Sequence, residues 1–473
     1  MLFPTIDFAI FFAVAFTVSW LLNSYPGPWK LAMLALSYFF YSWWDWRFVL
    51  LLAASTVIAQ VGAVAITRFE TQRAKRAAMA GSCAGLLALL GYFKYYGFLS
   101  ANADNALHQI GLGRLIPIIQ PTLPVAISFF TFMALSYVID VYRGDLLVAR
   151  PIDTAVYLSF FPHLIAGPIV RGGELLPQIR RRRDPAQVDY SRAIWMIMAG
   201  LFKKVVVSSY VSTAIVQPVF TAPGKHSAQE AIFAAWGYAV QIYCDFSGYT
   251  DIAIGLALLL GFRFPVNFDA PYTARDLQDF WRRWHITLSR WLRDYLYIPL
   301  GGSRGSEWKT ARNIMITMLL GGLWHGAAWT FLIWGGLHGA GQVVGHTRRR
   351  RRLARGLPAL ADGRGRVWWQ RFWTFQFVCL GWVFFNASSF TNAMQVLGRL
   401  LHPGPSPLVT PLLVLTVALI VGAQFVPRRS VEWVQARFSR ANLALQAGAL
   451  GAALLVITTL GPTGVAPFIY YKF

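Results

Sequence analysis

Charge is scarce in this sequence. Only 13% of its 473 residues are Asp, Glu, Lys or Arg, against about 25% in an ordinary soluble protein. Acidic residues are the scarcer sign, 20 against 43 basic ones. Cysteine is almost missing: Cys83, Cys244 and Cys379 lie apart in apolar stretches. That excludes a disulfide framework and the paired spacing of a thiolate metal site, and it fits three small buried hydrophobes. The histidines include no pair spaced i,i+3 or i,i+4, so the helical spacing of zinc proteases is absent and no metal is expected.

What replaces charge is apolar length. Apolar runs recur at 6–22, 31–43, 48–67, 77–93, 123–139, 154–170, 193–217, 229–244, 251–262, 313–346, 367–390, 407–426 and 443–460. A helix crosses a bilayer with about 20 apolar residues, so the chain reads as one polytopic, all-α membrane body. Its spans would number 10–13, the shorter runs being tilted or re-entrant. The first run lacks a basic flank and contains Asp7, which argues for a retained span with its N-terminus outside rather than a signal peptide.

The net charge of +23 is not a nucleic-acid signature, because the basic residues gather in short blocks between apolar runs. Blocks at 68–76, 180–183, 348–352 and 428–440 are what cytoplasmic loops look like, since Lys and Arg resist translocation. They also attract anionic lipid head groups. The run 313–346 has Arg312 on one side and Arg348 on the other, so it is expected to form a hairpin with both ends cytoplasmic.

The least hydrophobic stretch, 263–312, separates two apolar blocks. Within it Phe280, Trp284, Leu288, Trp291, Leu292 and Tyr295 recur at helical spacing. Arg282, Arg283, Arg290 and Arg293 fall largely off that stripe. The pattern predicts one amphipathic helix over 277–296 at the cytoplasmic face, ended by Pro299 and Gly301-Gly302. The following loop, with Gly301, Gly302, Arg304 and Gly305, offers backbone N–H groups and a cation to a phosphate, a weak signal by itself.

Two histidines stand out. His325 lies in Gly321-Gly322-Leu323-Trp324-His325-Gly326, and from 313 to 347 no Asp, Glu, Lys or Arg occurs. A titratable group at membrane depth is costly and is by default a functional-site hypothesis. Residues alone leave open the alternative of a histidine hydrogen-bonded between helices. His285, in Arg282-Arg283-Trp284-His285, has basic neighbours that disfavour its protonated form. A neutral imidazole can act as a general base or donate one hydrogen bond, but spacing alone favours an interfacial structural residue. His163, between Pro162 and Pro168, either lines a cavity or caps broken backbone. His338 suggests no role.

Asp245 and Asp251 frame a polar break between two apolar runs. In a transporter such a break coordinates a cation or relays protons. Capping and pairing with a neighbouring Arg is the structural alternative, and Asp140 with Arg143 has the spacing for it.

The longer motifs resemble one family. Ser128-Phe129-Phe130-Thr131-Phe132, Asp140-Val141-Tyr142-Arg143-Gly144, Phe161-Pro162-His163-Leu164-Ile165-Ala166-Gly167-Pro168 and Tyr243-Cys244-Asp245-Phe246-Ser247-Gly248-Tyr249 occur in order. Phe280-Trp281-Arg282-Arg283-Trp284-His285, Arg293-Asp294-Tyr295-Leu296-Tyr297-Ile298-Pro299-Leu300-Gly301-Gly302 and Gly322-Leu323-Trp324-His325-Gly326 follow, with the aromatic tail at 468–473. They resemble the membrane-bound O-acyltransferase superfamily, in particular bacterial alginate O-acetyltransferases, with a core at 120–346 inside a single membrane domain of 1–473.

That resemblance implies helices around a central funnel or tunnel, with His325 as the central catalytic residue and His285 as the second polar position. It implies cytoplasmic acetyl-CoA as acyl-donor substrate, no permanently bound cofactor, and an extracytoplasmic polysaccharide acceptor. It also implies a bacterial inner-membrane location and a periplasmic or membrane-anchored acetyltransferase partner. Arg282, Arg283, Arg290, Arg293 and Arg304 become candidates for the phosphates of the coenzyme. The rival from another class is a transporter or exporter of a glycan or lipid-linked intermediate, which would need ionisable residues spread through several spans.

Overall fold

The computed structural model describes residues 1–112, 117, 119, 121–461, 468 and 469. Every regular element among them is helical. The chain divides into two compact units, Met1–Ala193 with Ala253–Pro265, and Ile194–Ile252 with Val266–Phe473. Among the described residues four helical stretches are long and apolar enough to cross a membrane: Arg47–Arg68, Gln72–Gln109, Tyr190–Thr221 and Ala228–Leu259. Pro411–Ala423 and Arg428–Arg440, bent by 95° at their break, make a fifth if they count as one span. Ile6–Leu21 and Ala444–Leu460 are shorter apolar helices, as the short runs implied.

In the first unit the helix Ile127–Arg143 is buried on nearly every side, which its almost unbroken apolar sequence requires. It ends where Gly144 turns left-handed at φ 81° and the Asp145 N–H reaches the Asp140 carbonyl at 2.9 Å, a glycine-terminated C-cap. A closed polar network is buried beside it. The Gln60 side-chain oxygen accepts from Thr154 Oγ1 (2.6 Å) and Tyr137 Oη (3.2 Å), while Gln60 Nε2 donates to the Ala149 carbonyl (2.9 Å). Tyr137 Oη in turn accepts from the Ala149 N–H at 3.0 Å. Buried Asp153 is paired with Lys30 at 2.5 Å and Arg180 at 3.2 Å. His163 is fully buried in the four-residue helix Phe161–Leu164 against the ring of Phe264.

The second unit corrects two sequence expectations. Residues 245–251 are not a polar break, because the helix Ala228–Leu259 runs through them without interruption. Their carboxylates pair with lysines rather than arginines: Lys204 with Asp245 and Lys203 with Asp251. Paired charges on adjacent helices satisfy each other, so no cation is needed to explain them. The amphipathic stretch 277–296 is also not one helix. It consists of Leu277–Arg283, Ile286–Leu292 and a wider turn over Arg293–Tyr297, broken at Trp284 and His285.

Candidate active site

The expected hairpin is present as the helices Glu307–His325 and Trp329–Ala354. Its sequence permits an unusually close approach. A Cβ on Gly322 would lie 2.3 Å from the Phe331 carbonyl oxygen, and one on Gly335 would lie 2.4 Å from that of Met318. Only glycine lets the two backbones meet there, the packing that membrane helices use in place of bulk hydrophobic attraction. His325 is the last residue of the first arm and is buried. Its ring lies 5.0 Å from Trp324, 5.0 Å from Trp334 and 5.2 Å from Phe385, each edge to face. Trp334 comes from the second arm, and Phe385 from the helix Arg364–Asn386.

His285 occupies the break itself, with φ 42° and ψ 55°. A left-handed backbone is uncommon for a residue other than glycine and points to a site over-determined by its surroundings. Asn267 supplies the restraint. Its side-chain oxygen lies 3.2 Å from His285 Nδ1 and accepts from Thr287 N at 3.1 Å and Thr287 Oγ1 at 2.9 Å. Its carbonyl accepts from Ile286 N at 2.9 Å. A backbone N–H can only donate, so the amide atom facing Thr287 is the oxygen. His285 Nδ1 must therefore be the protonated nitrogen, and in the neutral ring Nε2 carries the lone pair.

The two histidines meet around one indole. Trp324 lies 5.9 Å from the His285 ring and 5.0 Å from that of His325. Phe246 of Ala228–Leu259 packs edge-on to His285 at 4.6 Å. Phe468 packs tilted against Phe246 at 5.6 Å and Tyr249 at 4.5 Å, and Ile469 N donates to Asp245 Oδ2 at 2.8 Å. The aromatic-tail motif is thus seen at 468 and 469, and its residues 470–473 lie outside those described.

A cavity of about 1070 Å³ opens in the same unit. Its walls include Trp281, Leu292, Met318, Trp373 and Phe377, and its basic residues are Arg275, Arg282, Arg290, Arg293, Arg348 and Arg349. Three of the five arginines singled out in the sequence are therefore together there. Arg283 is instead bound to Asp279 at 2.8 Å and to the Asp269 carbonyl at 3.3 Å. Arg304 is exposed in the glycine loop and does not line the cavity. Sequence reasoning missed Arg348 and Arg349, because a basic block beside an apolar run reads as a topology signal, and Arg275, which stands alone ahead of the amphipathic stripe. Arg349 is held by Asp276, and Arg275 by Gln370, the Ala361 carbonyl and Asp362. Arg282 and Arg348 have no acidic partner among the described residues. Neither His285 nor His325 lines the cavity; Ile286, next to His285, does. No three His, Cys, Asp or Glu side chains among the described residues are placed to hold a metal.

His338, given no role from the sequence, is fully buried in the same cluster. Its ring lies 4.9 Å from Trp334 and 5.4 Å from Trp281. Only the fold could show this, since the hairpin brings it alongside the broken helix.

Comparison with known proteins identifies the family. The sequence profile of the membrane-bound O-acyltransferase family matches residues 148–389. The chain is 40% identical over 375 residues to the "Probable alginate O-acetylase AlgI" of Azotobacter vinelandii, covering 78% of this chain and 71% of that one. It is 36% identical over 435 residues to the peptidoglycan O-acetyltransferase of Helicobacter pylori, covering 83% and 78%. Similarity extends at 28% over 284 residues to a teichoic acid D-alanyltransferase of Streptococcus thermophilus, covering 55% and 68%. The chain belongs to the membrane-bound O-acyltransferase family and is a multi-pass membrane enzyme, an O-acetyltransferase.

Proposed function

We propose that the enzyme takes acetyl groups from acetyl-CoA at the cytoplasmic face of a bacterial inner membrane and passes them to hydroxyls of an extracytoplasmic polysaccharide. The observation that carries this is the large cavity with apolar walls and a basic rim, in the unit that also holds His285 and His325. An apolar wall suits the pantetheine arm, and arginines without acidic partners suit phosphates. The names of the relatives support a polysaccharide acceptor of the alginate or peptidoglycan kind. A periplasmic or membrane-anchored acetyltransferase would act as partner in delivering the group to polymer.

In the mechanism, His325 accepts the proton of the acceptor hydroxyl as its oxygen attacks the thioester carbonyl. The carbon–sulfur bond breaks, and the coenzyme thiolate leaves with a proton returned from the imidazolium. His285 has its Nδ1–H committed to Asn267. The neutral ring therefore offers Nε2 as a hydrogen-bond acceptor, which favours orienting the donor through a pantetheine amide N–H over stabilising an oxyanion. The lysine-paired state of Asp245 and Asp251 weighs against ion-coupled transport.

The test is genetic. Deleting the protein should strip O-acetyl groups from one exported polysaccharide, wild-type protein should restore them, and His325→Ala should not. Full restoration by His325→Ala would overturn the proposal.

A further inference from the structure

His338 is an unexpected residue to bury among rings. Trp281 Nε1 lies 3.3 Å from its Nδ1. An indole N–H only donates, so Nδ1 accepts and the ring is the neutral tautomer with its proton on Nε2. That second nitrogen is buried with no hydrogen-bond partner among the described residues. It faces Gly381, where even a Cβ would come within 3.0 Å. A buried N–H without an acceptor is destabilising, so stability alone would favour an apolar ring here. The imidazole nevertheless joins two parts of the site. On one side Trp281 forms a wall of the cavity. On the other, Trp334 packs against His338 at 4.9 Å and presents its ring to His325 at 5.0 Å.

We infer that His338 is a positioning residue of the acyl transfer: its hydrogen bond fixes the Trp281 wall of the cavity, and its packing on Trp334 fixes the ring against which His325 lies. This rests on the assignment of the cavity to the acyl donor. Without the bond, the Trp281 indole is free to rotate into the space the donor occupies, and Trp334 loses the neighbour that sets its angle to His325. Both effects act on the reaction through other residues, since His338 does not line the cavity.

The experiment measures acetyl transfer from radiolabelled acetyl-CoA in membrane vesicles from the deletion strain carrying each variant, with rates normalised to folded protein. His338→Phe and Trp281→Phe should each raise the KM for acetyl-CoA about fivefold, the value of one hydrogen bond. The double variant should be no worse than either single one, because both remove the same bond. His338→Asn, whose side-chain oxygen can take the place of Nδ1, should recover most of the loss. An unchanged KM in His338→Phe, or additive effects in the double variant, would overturn the inference, leaving His338 as packing alone. Arg282→Gln with Arg348→Gln separates the two layers. If that protein shows a raised KM while His338→Phe does not, the inference fails and the donor cavity stands. If it keeps the wild-type KM, the donor assignment fails, and the inference with it.

Discussion

In the first unit Gln60, Tyr137, Thr154 and the Ala149 backbone satisfy one another in a closed ring of hydrogen bonds. In the second, His325 and His338 stand among aromatic rings, and the Trp334 N–H and His338 Nε2 are buried with no partner among the described residues. Polar groups are buried in both, but to different ends. A closed network rigidifies and specifies packing. Polar atoms buried without a partner lower stability, and a fold that keeps them among the rings of a site departs from the rules of stable packing there. The contrast is between these two clusters rather than between the units as wholes, since His163 of the first unit is also buried among rings with neither nitrogen partnered among the described residues.

Substitutions aimed at one cluster or the other sharpen that contrast. The largest effect is expected for Asn267→Ala, which removes the oxygen holding His285 and Thr287. Displacing a reacting or orienting group by about 1 Å can cost on the order of 10²-fold in rate, and acetyl transfer per folded protein should fall accordingly, beyond the stability lost with the three hydrogen bonds to that oxygen. Gln60→Leu should lower stability and leave the chemistry alone. Three groups lose their partner, destabilising the protein by about 1–3 kcal/mol, yet the KM for acetyl-CoA should not change in the protein that remains folded. The smallest effect on transfer is expected for Ile469→Pro, which removes the N–H donated to Asp245, replaces a buried isoleucine side chain and fixes the backbone. A loss of about 1–3 kcal/mol in stability, read by thermal denaturation in detergent, is the expected outcome. If Gln60→Leu changed the KM as much as Asn267→Ala changed the rate, the division between scaffold and site would be wrong.

Much of this was legible in the sequence, and the exceptions have physical causes. The hairpin could be read because its apolar run is bounded by arginines and seeded with glycines. The break at His285 could not. Neither Gly nor Pro marks it, and the left-handed residue is held by Asn267, 18 residues earlier in the chain. A helical stripe also survives a single break with little change in its pattern. Pairing of the aspartates is one of two readings of the sequence, with a neighbouring Arg as the expected partner; the partners are lysines 41 and 48 residues away, beyond any spacing rule. Arg283 joined the basic face by helical pattern and Arg304 was drawn from the glycine loop, yet neither lines the cavity. His338 was invisible because its importance lies wholly in which rings the hairpin brings to it.

The central claim is that acetyl groups move from acetyl-CoA through a site built on His325. Sealed inside-out membrane vesicles, given radiolabelled acetyl-CoA on the exposed cytoplasmic face, test it most directly. Wild-type vesicles should transfer label to polysaccharide in the lumen, and His325→Ala vesicles with equal folded protein should do so about 10²–10⁴-fold more slowly. Equal label in the two would contradict the account.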